Sequence, residues 1–210
     1  MYGMFKLWGE NVDVKEIKVM AQGYAHCRSA FYTVQDAFQD QEWEFYTGIN
    51  RMYGEIDAGN WAVSYLLSMY QNKPRDFILS DVKFFVNEQT VSADAVMDVS
   101  CYMDISDPLF ATKWSVKKLI QKQLRCSKIP FSFGDIVSLF ELDECDFNRN
   151  IQQTGNRKIR IMAAVGCAAG KQIFCFPWMS AKRFRNFHYN MSFTLEVLER
   201  LNKVVVLPLS

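Results

Sequence analysis

Residues 53–61 read Tyr-Gly-Glu-Ile-Asp-Ala-Gly-Asn-Trp, which places Gly54 and Gly59 five positions apart. A phosphate-binding loop, G-x-x-x-x-G-K-[ST], spaces its two glycines in the same way. The positions that should then hold Lys and Ser or Thr are Asn60 and Trp61. The flanks suit such a loop. A short apolar run at 49–53 leads in as a strand, and 61–70 carries apolar residues at helical spacing with no breaker. The frame constrains the chain to strand, glycine loop and helix, without the side chains that grip phosphate.

The rest of the chain alternates in a way that sets the fold class. Residues 12–20 alternate apolar and charged side chains and predict a strand. Residues 21–29 are ambiguous, and 31–38 fit a strand or a short helix. Residues 43–46 alternate up to a turn at Thr47-Gly48. Residues 77–86 predict strands around a turn at Asp81, residues 91–94 the cap of a short helix, and 98–102 a β-like run. Ser115 precedes an amphipathic helix over 116–124, and 133–140 predict another helix. An Ala-rich helix over 158–169 ends at Gly170, followed by a buried strand at 173–176 that Pro177 stops. A helix over 194–202 and a last strand at 204–207 close the chain. Strands gathered early and helix–strand alternation later predict an α/β fold: a parallel core with an antiparallel β flank, in one domain over 1–210.

Composition removes several function classes. The 210 residues carry a net charge of +1, which excludes a broad nucleic-acid surface. Local basic groups (Lys117, Lys118, Lys122, Arg125 and Lys128; Lys182, Arg183 and Arg185) read as solvated helix faces, with an anionic partner as the alternative. None of the six cysteines forms a C-x-x-C pair, so the chain predicts buried free thiols, no zinc site and no disulfide scaffold. The first residues lack the pattern of a signal peptide, and no apolar run is long enough to span a bilayer. No direct membrane insertion is expected. The acidic run 143–146 has poor Ca²⁺-loop spacing and reads as a solvated loop. His188, between Phe187 and Tyr189, reads as a packed ring rather than a base, and both it and His26 lie far from the last strand.

Four later segments follow the glycine frame in a fixed order. Ser100-Cys101-Tyr102-Met103-Asp104 leads through Pro108-Leu109-Phe110 to Trp114-Ser115-Val116. Gln152-Gln153-Thr154-Gly155-Asn156 precedes the Ala-rich helix. Lys171 to Ser180 holds a short strand and its following loop, and Asn202 to Leu207 the final strand. In this order the chain resembles a degenerate nucleotide-binding domain of the ABC transporter ATPases, which have a P-loop NTPase fold, from about Val12 onward. The resemblance implies a helical subdomain at roughly 105–168. It makes Gly54, Asp57, Gly59, Asn60 and Trp61 a vestigial phosphate loop, Asp104 the residue at the Q-loop glutamine, and Thr154, Gly155 and Asn156 a worn signature motif. The Walker B acids fall near Phe176 and Pro177. No switch histidine follows Leu207.

These departures act on the chemistry. Asn60 brings no charge, and a lost charge-assisted hydrogen bond costs about 1.5–3 kcal/mol. Trp61 cannot ligate Mg²⁺, and Glu55 and Asp57 would repel a triphosphate. Phe176 and Pro177 can neither hold a metal nor activate water. The expectation is a noncatalytic, accessory protein with no catalytic residue, metal or cofactor. It would be cytoplasmic, peripheral at a membrane only through a partner. Its partner is a protein: a second copy, an active ATPase subunit or a permease, contacted through Trp61, Gly155, Asn156 and Trp178. The alternatives are an ATPase with displaced residues, using Asp57 or Asp104 with Mg²⁺, and an α/β domain unrelated to this family.

Overall fold

A computed structural model describes residues 13–28, 33–54, 60–68, 77–127, 129–186 and 188–210. Two four-stranded sheets and eight α-helices fill them. The first sheet is antiparallel, in the order β2 (Thr33–Tyr46), β1 (Glu16–Arg28), β4 (Phe77–Val86), β5 (Gln89–Val91). Period-two patterning makes it. Ile17, Val19 and Ala21 are buried, and the register lines Ile17 up with Phe45 and Val86, and Val19 with Trp43 and Phe84. On the opposite face Lys18 pairs with Glu42 and Glu44.

The ambiguous residues 21–28 continue β1, and the strand reading of 33–38 holds within β2. The turn expected at Asp81 is absent. Gln22 faces Asp81 and Gly23 faces Leu79, so Ser80 is an extra residue in one continuous strand. A β-bulge absorbs the break in alternation while the ladder resumes on both sides. The true reversal comes at Asn87 and Glu88, both at positive φ (48° and 67°), a two-residue hairpin without glycine. The Asn87 carboxamide supports it, accepting from Lys15 N at 2.9 Å and donating to Asp13 O at 3.0 Å.

The second sheet is parallel throughout, in the order β3 (Gly48–Tyr53), β8 (Val204–Leu209), β7 (Ile173–Cys175), β6 (Ser100–Tyr102). All six residues of β8 are buried, as a strand covered on both faces requires. One face of this sheet meets α1 (Asn60–Ser68). Ala62, Val63, Leu66 and Leu67 share a core with Ile173, Cys175, Val204 and Val206, and with the inner face of the antiparallel sheet. The helix after the glycine frame is therefore the layer between the two sheets. Buried hydroxyls fasten it: Ser64 Oγ donates to Phe176 O at 2.8 Å, and Ser100 Oγ to Leu67 O.

The other face, with Cys101, Phe174, Val205 and Leu207, packs under helices in a second core. After α2 (Ala93–Val99), which runs further than the β-like reading of 98–102 allowed, come α3 (Val116–Ser127), α4 (Phe133–Leu139) and α5 (Glu144–Phe147). α6 (Lys158–Ala168), α7 (Ala181–Asn186) and α8 (His188–Arg200) follow, and α8 starts six residues before the predicted helix. The acidic run is no open loop: it forms α5 behind an Asp143 capping box. Gly170, at φ 79°, ends α6 in a Schellman turn, with Lys171 N bonded to Gly166 O and Gly170 N to Cys167 O. Cys101, Cys167 and Cys175 are buried as expected, and burial raises the Cys167 thiol to about 12. Cys126, on α3, and Cys145, on α5, instead lie exposed. The Cys27 side chain lies outside the described residues.

α6 approaches the parallel sheet at Gly166, where a Cβ would stand 2.7 Å from Phe174 Cε1 and 3.2 Å from Cys101 Sγ. Phe174 is fully buried and has no room to swing away. Gly166→Ala should therefore lose about 1–3 kcal/mol by overpacking, outweighing the gain in helix propensity. Urea unfolding of the two proteins measures it. Equal or greater stability of the variant would show that the contact is not close.

Candidate functional site

β3 ends at Tyr53, and Gly54 N donates to Leu209 O at 2.9 Å, carrying the parallel ladder one step further. α1 opens at Asn60. Strand, glycine and helix thus stand in the order a phosphate loop needs. Asp57 and Gly59 lie outside the described residues, and for Asn60 and Trp61 the description covers only the backbone of the first turn of α1. Trp178 closes on this corner. It is half-buried against the first core, and its indole Nε1 donates to Gly54 O at 3.2 Å. The surface ring expected from sequence is in fact fastened to the end of the glycine strand.

The next strand end is β6. Asp104 follows it, half-buried, with Oδ1 accepting from Ser106 N at 3.0 Å. The carboxylate that shapes this segment is Asp107, which sequence reasoning passed over. It is 6 % exposed, and it accepts from Tyr102 N at 2.7 Å and Leu109 N at 2.8 Å. Burial raises its pKa, against the two backbone N–H groups that lower it. β7 leads into Phe176, whose N–H bonds Val206 O and whose carbonyl takes the Ser64 hydroxyl. Both polar backbone groups at that position are thus committed, and its side chain is a buried ring.

Ahead of α6 lie two 3-10 turns, Ile151–Gln153 and Gly155–Arg157. Thr154 is buried between them, its Oγ1 donating to Ile151 O at 2.7 Å. Gly155 sits at φ 57° with open space where a Cβ would be, and Asn156 is exposed beside it. Arg157 folds back to Glu141 O at 2.8 Å and to the carboxylates of Asp143 and Asp146. The Arg157 guanidinium thereby offsets part of the charge of the acidic run, pairing with two of its three carboxylates. Hydrogen bonding from Arg157 holds the Asp143 carboxyl below its ordinary range.

Three of the sequence-chosen segments meet at one cavity of about 300 Å³. Asp104, Gly155 and Asn156 line it together with Phe176 and Pro177, and Met103, Met162, Met179 and Met191 build its walls. It is an apolar concavity with a few polar groups at its edge (Asp104, Asn156 and Lys158), the composition of a small binding site. Gly54 and Trp178 are not part of it. Among the described residues no group of three or more His, Cys, Asp or Glu is placed to hold a metal ion.

No protein-family model and no curated protein matches the sequence. Solved structures do match. A putative ABC transporter ATP-binding protein from Pyrococcus furiosus is similar over 92 % of this chain and 90 % of its own, with a TM-score of 0.57 at 13 % identity. A bacterial ABC transporter cassette, solved as a dimer, is similar over 91 % and 87 %, with a TM-score of 0.58 at 9 % identity. A bacterial Atm1-family ABC exporter with ATP bound is similar over 95 % of this chain and 35 % of its own, with a TM-score of 0.54 at 11 % identity. The chain has the fold of the ABC transporter ATP-binding cassettes: a parallel sheet core, an antiparallel flank and helices.

Two measurements test the site's architecture. Asp107→Ala should cost roughly 1–3 kcal/mol, because the buried Tyr102 N–H and the half-buried Leu109 N–H lose their acceptor. Chemical denaturation reads it, and a change below about 0.5 kcal/mol would mean water replaces the carboxylate at no cost. The Arg157 clamp has a pH signature. A carboxyl whose folded pKa lies below its unfolded value of about 3.9 stabilises the protein above that pH, and the contribution is lost as pH falls through the folded value. The stability gap between wild type and Arg157→Gln should be open at about pH 7 and narrow below about pH 4. A gap constant over that range would contradict the pairing.

Proposed function

We propose that this chain is a noncatalytic ABC-ATPase-like protein that works by binding another protein chain. The observation that carries the reading is the end of β7. A buried phenylalanine ring and a proline stand where hydrolysis needs a metal-binding carboxylate and a second one to orient water. The phosphate-loop frame supports it, since neither Asn60 nor Trp61 can supply the charge or the metal ligand of an active loop.

The partner is a second copy, an active ATPase subunit or the cytoplasmic side of a permease. Among the structural neighbours are a cassette solved as a dimer and a full exporter with ATP bound. Gly155 and Asn156 are the exposed residues of the signature segment and line the methionine-walled cavity, so the contact is assigned to this edge. Trp178 backs the glycine frame from within through its bond to Gly54. Among the described residues no helix is long and apolar enough to cross a membrane.

Thermal unfolding with Mg·ATP at millimolar concentration tests the reading. A ligand at about 100 times its dissociation constant adds about 2.7 kcal/mol and would raise the melting temperature by degrees. The expected result is no shift and no phosphate release. A shift accompanied by turnover would make the chain an ATPase with displaced residues.

A further inference from the structure

Helix α3 carries a feature that the proposed function does not use. Residues 108–134 hold six cations (Lys113, Lys117, Lys118, Lys122, Arg125 and Lys128) and no Asp or Glu. With the whole chain at +1, taking these six away leaves the remainder at −5. The protein is therefore electrically polarised, although its net charge hides this.

The structure sets Lys113, Lys118, Lys122 and Arg125 beside one exposed ring, with Lys117 exposed on the same helix. Val116, Leu119 and Ile120 bury the inner face of α3. Trp114, Lys118, Gln121 and Arg125 follow one another three or four residues apart, the spacing of a single outer stripe, and Lys122 stands four residues after Lys118 beside it. The Trp114 indole is 45 % exposed, and the Lys122 ammonium stands 4.5 Å from its ring centre. Arg125 Nε donates to Gln121 O at 3.2 Å, which lays the guanidinium along the helix. Lys113, Trp114, Ser115, Lys118, Gln121 and Arg125 line an open trough of about 570 Å³. Among the described residues none of the five cations has an ion-pair partner.

Like charges gathered on one face repel one another, and an anionic surface laid over them relieves that repulsion. An exposed indole adds a side chain that is favoured at the boundary between water and lipid. From this combination we infer that the outer stripe of α3 docks on an anionic lipid bilayer. Lys113, Lys117, Lys118, Lys122 and Arg125 face the phosphates, and Trp114 enters the headgroup layer. A single-stranded nucleic acid fits less well, because its bases need successive aromatic platforms and this trough holds one ring. The inner face of α3 stays packed in the protein core, so the contact is peripheral and is reversed by salt. It requires nothing of the glycine frame and is independent of the reading above.

Vesicle co-sedimentation tests it, with phosphatidylcholine alone against phosphatidylcholine containing about one third phosphatidylglycerol. The full chain should sediment with the anionic vesicles only, and should be released as salt rises from about 50 mM to about 500 mM. Charge reversal by Lys118→Glu, Lys122→Glu and Arg125→Glu should weaken binding at least about tenfold, and Trp114→Ala several-fold. The neutral set Lys118→Gln, Lys122→Gln and Arg125→Gln should also weaken it, and it carries the test if the reversal set melts early. The proposal is overturned by equal binding to neutral vesicles, by no sedimentation at low salt, or by full binding of both variant sets. It is also overturned if a single-stranded RNA or a poly-glutamate peptide binds the stripe while vesicles do not.

Discussion

One strand holds the two halves of the candidate site at a fixed distance. β8 is buried along its whole length and hydrogen-bonded on both sides, to β3, which delivers the glycine frame, and to β7, which delivers Phe176 and Pro177. Its last carbonyls reach past the strands themselves: Leu209 O receives Gly54 N, and Pro208 O receives Met179 N. Val204, Val205, Val206 and Leu207 lie on both faces of the sheet, so both hydrophobic cores depend on the same four residues. A change that pulled β8 out of line would separate the glycine corner from the β7 end and open both cores together.

The same strand ties the packing demands of the fold to the residues around both strand ends. The fold needs a strand at 48–53 and a helix at 60–68 because α1 fills the gap between the two sheets. It needs an apolar residue at the end of β7 because Phe176 faces the helical core. Packing and catalysis therefore make different demands on neighbouring positions, and here packing is satisfied. The Ser64–Phe176 and Trp178–Gly54 hydrogen bonds occupy backbone carbonyls at both strand ends, which fixes the loops to the scaffold. Binding of another chain is consistent with a surface whose inner wall is rigid and whose edge, at Gly155 and Asn156, is open.

Much of the fold was legible because it is written in short periods. Apolar runs gave β7 and β8, three- and four-residue spacing gave α3, and Gly170 marked the end of α6. What escaped has no local signature. The bulge at Ser80 is visible only once β1 is set beside β4, since alternation that skips one residue looks like a turn in isolation. The Asn87-Glu88 reversal lacks the glycine that usually announces one, and it is held by contacts to residues 13–16 across the sheet. Asp104 drew attention by its place in a motif order, whereas Asp107 carries the hydrogen bonds. Two acids three apart cannot be told apart until one is known to be buried. The Arg157 clamp on 143–146 and the meeting of Asp104 with Gly155 are long-range, so spacing could not have found them.

The central claim is that the scaffold of an ATP-binding cassette remains here while the phosphate site has lost its chemistry. A crystal structure grown with Mg²⁺ and a nonhydrolysable ATP analogue tests it most directly. The account expects residues 54–61 to be free of nucleotide, with the Trp178–Gly54 bond in place. A triphosphate cradled by the backbone N–H groups of that loop, with a metal ion beside it, would contradict it.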